Sequence, residues 1–322
     1  MKNLKKLGLY SVLLIIILSM VACAPKKNAD KDLKVDDVTD VEDVAKVYPI
    51  EIEDNFGNKE TIESEPMKIV SLAPHNTEIL FALGLGDKVV GVTSYCDYPE
   101  EAKTKEIIGG FKETNLEKIV ELDPDIVLLY GAGDEGEVKV LRDAGIKVLG
   151  FMPETIDAVV SDIKTIGKIT GSNNEADVLT KSIIEKKNEI VEKVKKQEKV
   201  KVFYEIWHDP IMSAGKGSFM DELITLAGGE NIAKDADGAY PEYDLEQLIE
   251  RDPEVYLTSA DTPEKTVESI KIRPGFEEIS AIKNDRIYIF EGNEANVVSR
   301  PGPRIIEALE LVAKSIYPEL FK

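Results

Sequence analysis

The sequence predicts an α/β protein of two Rossmann-like lobes, each built on a central parallel sheet, joined by one long rigid helix. Three observations predict it. One pattern occurs twice, as Asn115-Leu116-Glu117-Lys118-Ile119-Val120-Glu121-Leu122-Asp123-Pro124-Asp125 and as Asp244-Leu245-Glu246-Gln247-Leu248-Ile249-Glu250-Arg251-Asp252-Pro253-Glu254. Each copy runs into an apolar stretch, Ile126 to Tyr130 and Val255 to Leu257. Each therefore reads as a helix, an Asp-Pro break and a buried strand. Strand-like and helix-like stretches alternate through both halves, as parallel α/β organisation requires. Between the halves, Val178, Leu179, Ile183, Ile184, Ile190, Val191 and Val194 recur at helical spacing among many Lys and Glu. That segment, Asn173 to Lys199, predicts a helix of roughly 25 residues and about 37 Å, a stiff connector.

Taken in order, residues 1–22 read as a signal peptide. Lys2, Lys5 and Lys6 precede an uncharged run from Leu7 to Ala22. The run is slightly shorter than the ~17–25 residues of a bilayer span. Cys23 follows Ala22 as in a lipobox, which predicts lipidation of Cys23 and an exported protein anchored to the outer side of the cell membrane. Residues 23–46 are rich in charge and lack aromatic residues, the composition of a flexible tether. Cys96 is the one other cysteine, so an acylated Cys23 leaves no intramolecular disulfide.

Residues 47–170 form the first expected lobe. Ile50 to Ile62 predicts a hairpin turning at Asp54 to Asn58. Lys68 to Pro74 is a buried strand, and Asn76 to Gly84 a helix closed by glycine. Val89 to Tyr95, Asp125 to Tyr130 and Lys147 to Phe151 are strands, with a helix over Glu137 to Ala144. Glu154 to Thr170 is helical, and Thr114 to Glu117 fits a capping box. Residues 171–199 hold the connecting helix. Residues 200–322 form the second lobe, restarting with the strand Lys201 to Trp207. Ser218 caps a helix over Phe219 to Ala227, the repeat helix follows, and Arg286 to Phe290 is another strand. Arg304 to Tyr317 closes the chain as an amphipathic helix.

The net charge of −21 argues against nucleic acid as partner. No catalytic signature stands out. Gly215-Lys216-Gly217-Ser218 lacks the spacing of a phosphate loop and reads as a turn into a capped helix. A thiol hydrolase acting through Cys96 is a weak alternative without an assured histidine partner. His75 and His208 are the two histidines. Each follows the first strand of its lobe, where the ligand crevice of an open parallel sheet forms. Their plain reading is as polar loop residues, their sharper one as axial ligands of a metal macrocycle. Tyr95, Phe111, Tyr130, Trp207 and Tyr240 lie at strand ends or in loops. Together they favour a large, flat, partly apolar ligand.

At these residues the chain resembles the iron-siderophore/vitamin B12 class of ABC-importer substrate-binding proteins. The resemblance runs from about Val47 to Lys322. It is carried by Lys68 to Glu78, Ser94-Tyr95-Cys96-Asp97-Tyr98-Pro99, Asn115 to Asp125, Ser213 to Ser218, Ala227 to Ile232 and Arg300-Pro301-Gly302-Pro303-Arg304. It implies a class III periplasmic-binding-protein fold, no catalysis and no cofactor. It also implies an ABC permease dimer, with its ATPase, as partner. The likeness is greatest to cobalamin-binding members, which implies a corrinoid ligand. Haem and ferric siderophores are the alternatives. By the same likeness Tyr95, Phe111, Tyr130, Ile211 and Tyr240 fall at ligand-contacting positions, to which Trp207 adds a further aromatic residue. The cobalamin receptor has Trp where this chain has Phe111, Tyr130 and Tyr240, and Ile211 replaces an aromatic residue. Glu117 and Glu246, one per repeat, align with the two glutamates that pair with permease arginines. The local alternative is that a carboxylate in a first helical turn is favourable by itself, by roughly 0.3–1 kcal/mol.

Overall fold

The computed structural model describes residues 48–110, 113–260, 262 and 265–322. The expected signal peptide, Cys23, the tether to residue 46 and Phe111 lie outside them. No helix among the described residues is long and apolar enough to cross a membrane.

The chain begins with an antiparallel hairpin, β1 (Ile50–Glu53) and β2 (Lys59–Ile62), with Ile50 opposite Ile62. Asp54 closes its turn by accepting from the N–H groups of Phe56 and Asn58, and also accepts from the Gly150 N–H. One carboxylate thus shapes the hairpin and fastens it to the adjoining sheet. That sheet holds β3 (Ile69–Ser71), β4 (Val89–Val92), β5 (Glu106–Ile107), β6 (Ile126–Tyr130) and β7 (Lys147–Phe151). All neighbours are parallel, in the order β5-β4-β3-β6-β7. α1 (Pro74–Ala82), α2 (Leu116–Leu122) and α3 (Glu135–Asp143) form crossovers. The central strands are covered on both faces, which is why their sequences are nearly unbroken apolar runs.

α4 (Ile156–Thr170) and α5 (Asn173–Val194) follow. Their close approach depends on Gly167, where an added Cβ would sit 2.6 Å from Ala176 Cβ. α5 has 22 residues, about 33 Å at helical rise. It stops before Lys199 because Lys195-Lys196-Gln197-Glu198 offers the core no apolar side chain.

The second sheet contains β8 (Val200–His208), β9 (Ile211–Ser213), β10 (Gly229–Asn231), β11 (Val255–Ser259) and β12 (Ile287–Phe290). Its parallel order is β10-β8-β11-β12, with β9 folded back antiparallel on β8. Around it lie α6 (Phe219–Leu226), α7 (Leu245–Arg251), α8 (Val267–Lys271), α9 (Ser280–Lys283), α10 (Asn293–Ser299) and α11 (Ile305–Ile316). β5, β9, β10 and the short helices α8 to α10 carry too little periodicity to be predicted from sequence.

Alternation along the strands sorts the core into three clusters. Ile69 and Leu149 from the first sheet join Ile163 of α4, Ile183 of α5, Leu223 of α6 and Leu309 of α11 in one continuous cluster. Val70, Val127 and Leu141 form a separate outer core in the first lobe. Phe203, Leu248 and Tyr256 do so in the second. Each such fully buried aliphatic side chain contributes about 1.5–3 kcal/mol. α5 is therefore not a free tether between lobes but a member of a shared core.

The two repeat copies fold alike. Asn115 caps α2 by accepting from the Lys118 N–H, and Asp244 caps α7 by accepting from Glu246 and Gln247. Asn115, not Thr114, is the N-cap, so no capping box forms there: the Asn side chain takes the orphan N–H first. α2 ends at Asp123 and α7 at Asp252, both left-handed, at φ 50° and 47°. Lys68 Nζ then donates to the Leu122 carbonyl, and Lys201 Nζ to that of Arg251. Asp125 accepts from the Lys68 N–H, and Glu254 from that of Lys201. Each repeat is thus riveted to the first parallel strand of its own lobe by the same Lys and carboxylate pair.

Candidate functional site

Parallel strands present their following loops on one side, and both sheets turn that side toward a common crevice. In it lies a cavity of about 570 Å³, within the roughly 300–1,000 Å³ of small-molecule sites. The first lobe supplies Pro74, His75, Tyr95, Tyr130, Met152 and Glu154. The second supplies Tyr204, Ile206, Phe219, Tyr240, Ser259 and Arg300. The walls are mainly apolar.

Tyr95, Tyr130 and Tyr240 of the sequence-predicted contacts meet here, each roughly half exposed. Trp207, Ile211 and His208 do not line the cavity. β8 continues past Ile206 and returns as β9, which carries Trp207 and His208 out to an exposed hairpin, where Trp207 Nε1 donates to the Asp209 carbonyl. Ile211 packs against the outer core of the second lobe. The two histidines therefore do not face one cleft.

His75 lies at the second position of α1, buried against the cavity with its ring edge-on to Tyr130 at 5.8 Å. Burial pushes the imidazole down to about 4, against the raising effect of its hydrogen bond to the Phe151 carbonyl. It is neutral at physiological pH, and its Nε2 has no hydrogen-bond partner. Among the described residues, no group of three or more His, Cys, Asp or Glu could hold a metal ion.

Arg300 of the cavity wall belongs to an ionic clamp between the lobes that the sequence did not announce. Glu78 of α1 is 2% exposed. It accepts two hydrogen bonds from Arg304, at 2.7 and 2.6 Å, and one from Arg300 at 3.3 Å. Arg300 also donates to Asp97 at 2.6 Å, to Asn296 at 3.0 Å and to the Tyr95 carbonyl at 3.3 Å. Arg304 stacks over Tyr98 at 3.8 Å. Burial raises the Asp97 carboxyl, but the hydrogen bond and charge of Arg300 outweigh it and hold the group below its usual range. A second bridge comes from the other lobe: Glu222 of α6 accepts from the Ile156 N–H at the start of α4, at 2.6 Å. The signal for the clamp lay in Asn76-Thr77-Glu78 and in Arg300-Pro301-Gly302-Pro303-Arg304. Neither stretch reveals by itself that the other is its partner.

Cys96 is buried in the shared core, with Sγ 3.2 Å from Thr77 Oγ1 and 3.3 Å from Thr93 Oγ1. It is not part of the cavity wall. Glu117 and Glu246 are exposed and each is the second residue of its helix, α2 and α7.

Comparison with known proteins places this geometry in a family. Residues 69–293 match the periplasmic binding protein family. An uncharacterised ABC transporter substrate-binding lipoprotein of Bacillus subtilis is 37% identical over 326 residues, covering 99% of each chain. The crystal structure of a periplasmic vitamin B12-binding protein of Vibrio cholerae is 28% identical, with a TM-score of 0.69, covering 80% of this chain and 99% of the other. That of a possible iron-binding (periplasmic solute-binding) protein of Staphylococcus epidermidis is 32% identical, also with a TM-score of 0.69, covering 79% and 100%. The fold is that of the class III periplasmic binding proteins. The chain belongs to the periplasmic binding protein family, as an extracytoplasmic substrate-binding protein and not an enzyme.

Proposed function

We propose that this protein captures a corrinoid between its lobes and delivers it to an ABC permease dimer powered by an ATPase. The observation that carries the corrinoid reading is the charge state of the cavity. Three tyrosines from two lobes offer faces and hydroxyls to a flat, partly apolar ring. Arg300 is the one Arg or Lys among the described residues lining the cavity, and its guanidinium is committed to Asp97, Glu78 and Asn296. His75 is neutral. Haem carboxylates and anionic iron chelates would find no spare positive charge there. A corrinoid, rimmed by amides, needs none.

Glu117 and Glu246 are the proposed docking residues. A crossover helix starts at the carboxyl end of a strand, so both glutamates lie toward the cleft end of their sheets. Their free carboxylates suit basic sockets on a two-fold partner. In this reading the 1–22 segment is a signal peptide and Cys23 carries the lipid, with residues 47–170 and 200–322 as the lobes and 171–199 as the connector.

Haem is the second reading, favoured by the unpartnered Nε2 of His75 at the cavity wall. Titration of the purified protein with cyanocobalamin and with hemin separates the two. Saturable cyanocobalamin binding is expected. A hemin Soret shift that disappears in His75→Ala, with no cyanocobalamin binding, would replace the corrinoid reading with the haem one.

A further inference from the structure

Glu154 lines the cavity yet forms no ion pair or hydrogen bond with any described residue. It lies in the loop between β7 and α4, half-buried. Its charge is felt by two tyrosines from opposite lobes. Burial raises the Tyr130 and Tyr240 phenols first, the Glu154 carboxylate raises both further, and Tyr130 adds to the effect on Tyr240. Both phenols are therefore protonated donors beside a carboxylate. Elsewhere around the cavity the charges cancel: Arg300 meets Asp97 and Glu78, and His75 is neutral. Glu154 is the one charge on the described wall left without a counter-charge. A half-buried carboxylate sharing a cavity with two tyrosine rings is a favourable setting for a cation, which gains from both the charge and the ring quadrupoles. It is an unfavourable one for an anion. The chain's net charge of −21 extends the same preference to the approach of the ligand.

We infer that Glu154, set against Tyr130 and Tyr240, is a charge-selecting subsite: it takes a cationic ligand in preference to the neutral form of the same ring and excludes polyanions. Resting on the corrinoid reading, this deepens it. The cationic corrinoids are those whose cobalt keeps a weakly bound neutral axial group, such as water, in place of an anionic one. Recognition needs no metal–protein bond. It rests on the electrostatic preference of one carboxylate and two π-faces for the positively charged macrocycle.

The test uses one macrocycle in two charge states. Aquocyanocobinamide is a monocation, and dicyanocobinamide, held in excess cyanide, is neutral. Wild-type protein is expected to bind the cation about tenfold more tightly. Glu154→Gln, which keeps size and removes the charge, is expected to reduce that ratio to within about twofold, mainly by weakening the cation. Glu154→Asp should retain most of it, and raised salt should narrow it in the wild type alone. An unchanged ratio in Glu154→Gln, or equal loss for both ligands, would overturn the subsite while leaving corrinoid capture intact. If wild type binds neither cobinamide nor cyanocobalamin, the corrinoid reading fails. The charge claim is then decided by the same variants with a tetracationic N-methylpyridinium porphyrin and a tetracarboxylate porphyrin. Equal binding of both porphyrins would overturn it.

Discussion

In the first lobe, Asn115 caps α2, Asp123 ends it, and Lys68 with Asp125 ties it to β3. In the second, Asp244, Asp252, Lys201 and Glu254 do the same for α7 and β8. The cleft faces show no such correspondence. The first lobe presents His75, Tyr95, Tyr130 and Glu154, the second Tyr204, Phe219, Tyr240 and Arg300. Their buried carboxylates differ as well. Glu78 reaches across to arginines of the other lobe. Glu205, fully buried in β8, is held inside its own lobe by Arg273 and the Tyr256 hydroxyl, with Lys265 Nζ 3.4 Å away. The duplicated scaffold has kept its symmetry in the helices that carry the proposed docking residues and lost it where a ligand without two-fold symmetry is to be held.

The largest expected effect breaks the lobes apart. Glu78→Gln leaves the nearly buried Arg304 without its carboxylate and Arg300 with Asp97 alone. Removing one partner of such a group costs about 3–5 kcal/mol. Chemical denaturation should show that loss, together with weaker ligand binding because Arg300, which Glu78 helps hold, lines the cavity. Glu205→Gln, internal to one lobe, should destabilise comparably but with a smaller change in ligand affinity once the protein is folded. Equal effects on binding would erase the distinction.

Asp162 sharpens the comparison through pH. This α4 residue is 1% exposed and accepts from Asn55 Nδ2. Burial raises its carboxyl to about 6, against the lowering effect of Asn55. The unfolded group ionises near 3.9, so its penalty is small at pH 4, grows as pH rises through about 6, and is complete by about pH 7. Asp162→Asn should therefore stabilise by about 2–3 kcal/mol at pH 8 and by little at pH 4. His75 works the other way. Its folded value near 4 lies below the unfolded value, so stability is lost as pH falls from about 6.5 to 4. Thermal melts from pH 4 to 8 should resolve the two slopes in the single variants.

In the cleft, Tyr130→Ala and Tyr240→Ala should each weaken corrinoid binding about tenfold by calorimetry, roughly 1.4 kcal/mol. They lie on opposite walls, so similar losses are expected if the ligand is sandwiched. A loss confined to one would place the ring on that wall alone. The smallest effect is expected for Cys96→Ser, within about 1 kcal/mol of wild-type stability and without change in ligand affinity.

How much of this was legible depends on the range of each signal. The repeats, the hairpin and α5 are local patterns, and periodicity reveals them. Tyr95 and Tyr130 follow from the rule that strand ends line the crevice, and Tyr240 from the family likeness, but the crevice reading misplaced Trp207 and His208. A β8 that overshoots into a hairpin looks like any other strand end. Glu78 with Arg304 was not legible, because an ion pair more than two hundred positions apart leaves no periodic trace. The sequence places Glu154 at the start of a helix, whereas Thr155 is the N-cap and Glu154 stays in the loop lining the cavity.

The most direct test of a symmetric docking side and an asymmetric cleft joins two readings on one variant. Cyanocobalamin uptake is measured in proteoliposomes holding the cognate permease and ATPase, and cyanocobalamin affinity by calorimetry, for wild type and for Glu117→Ala/Glu246→Ala. The account expects uptake to fall to near background while affinity stays within twofold. Undiminished uptake by the double variant, or an affinity lost along with it, would contradict the separation of the two faces.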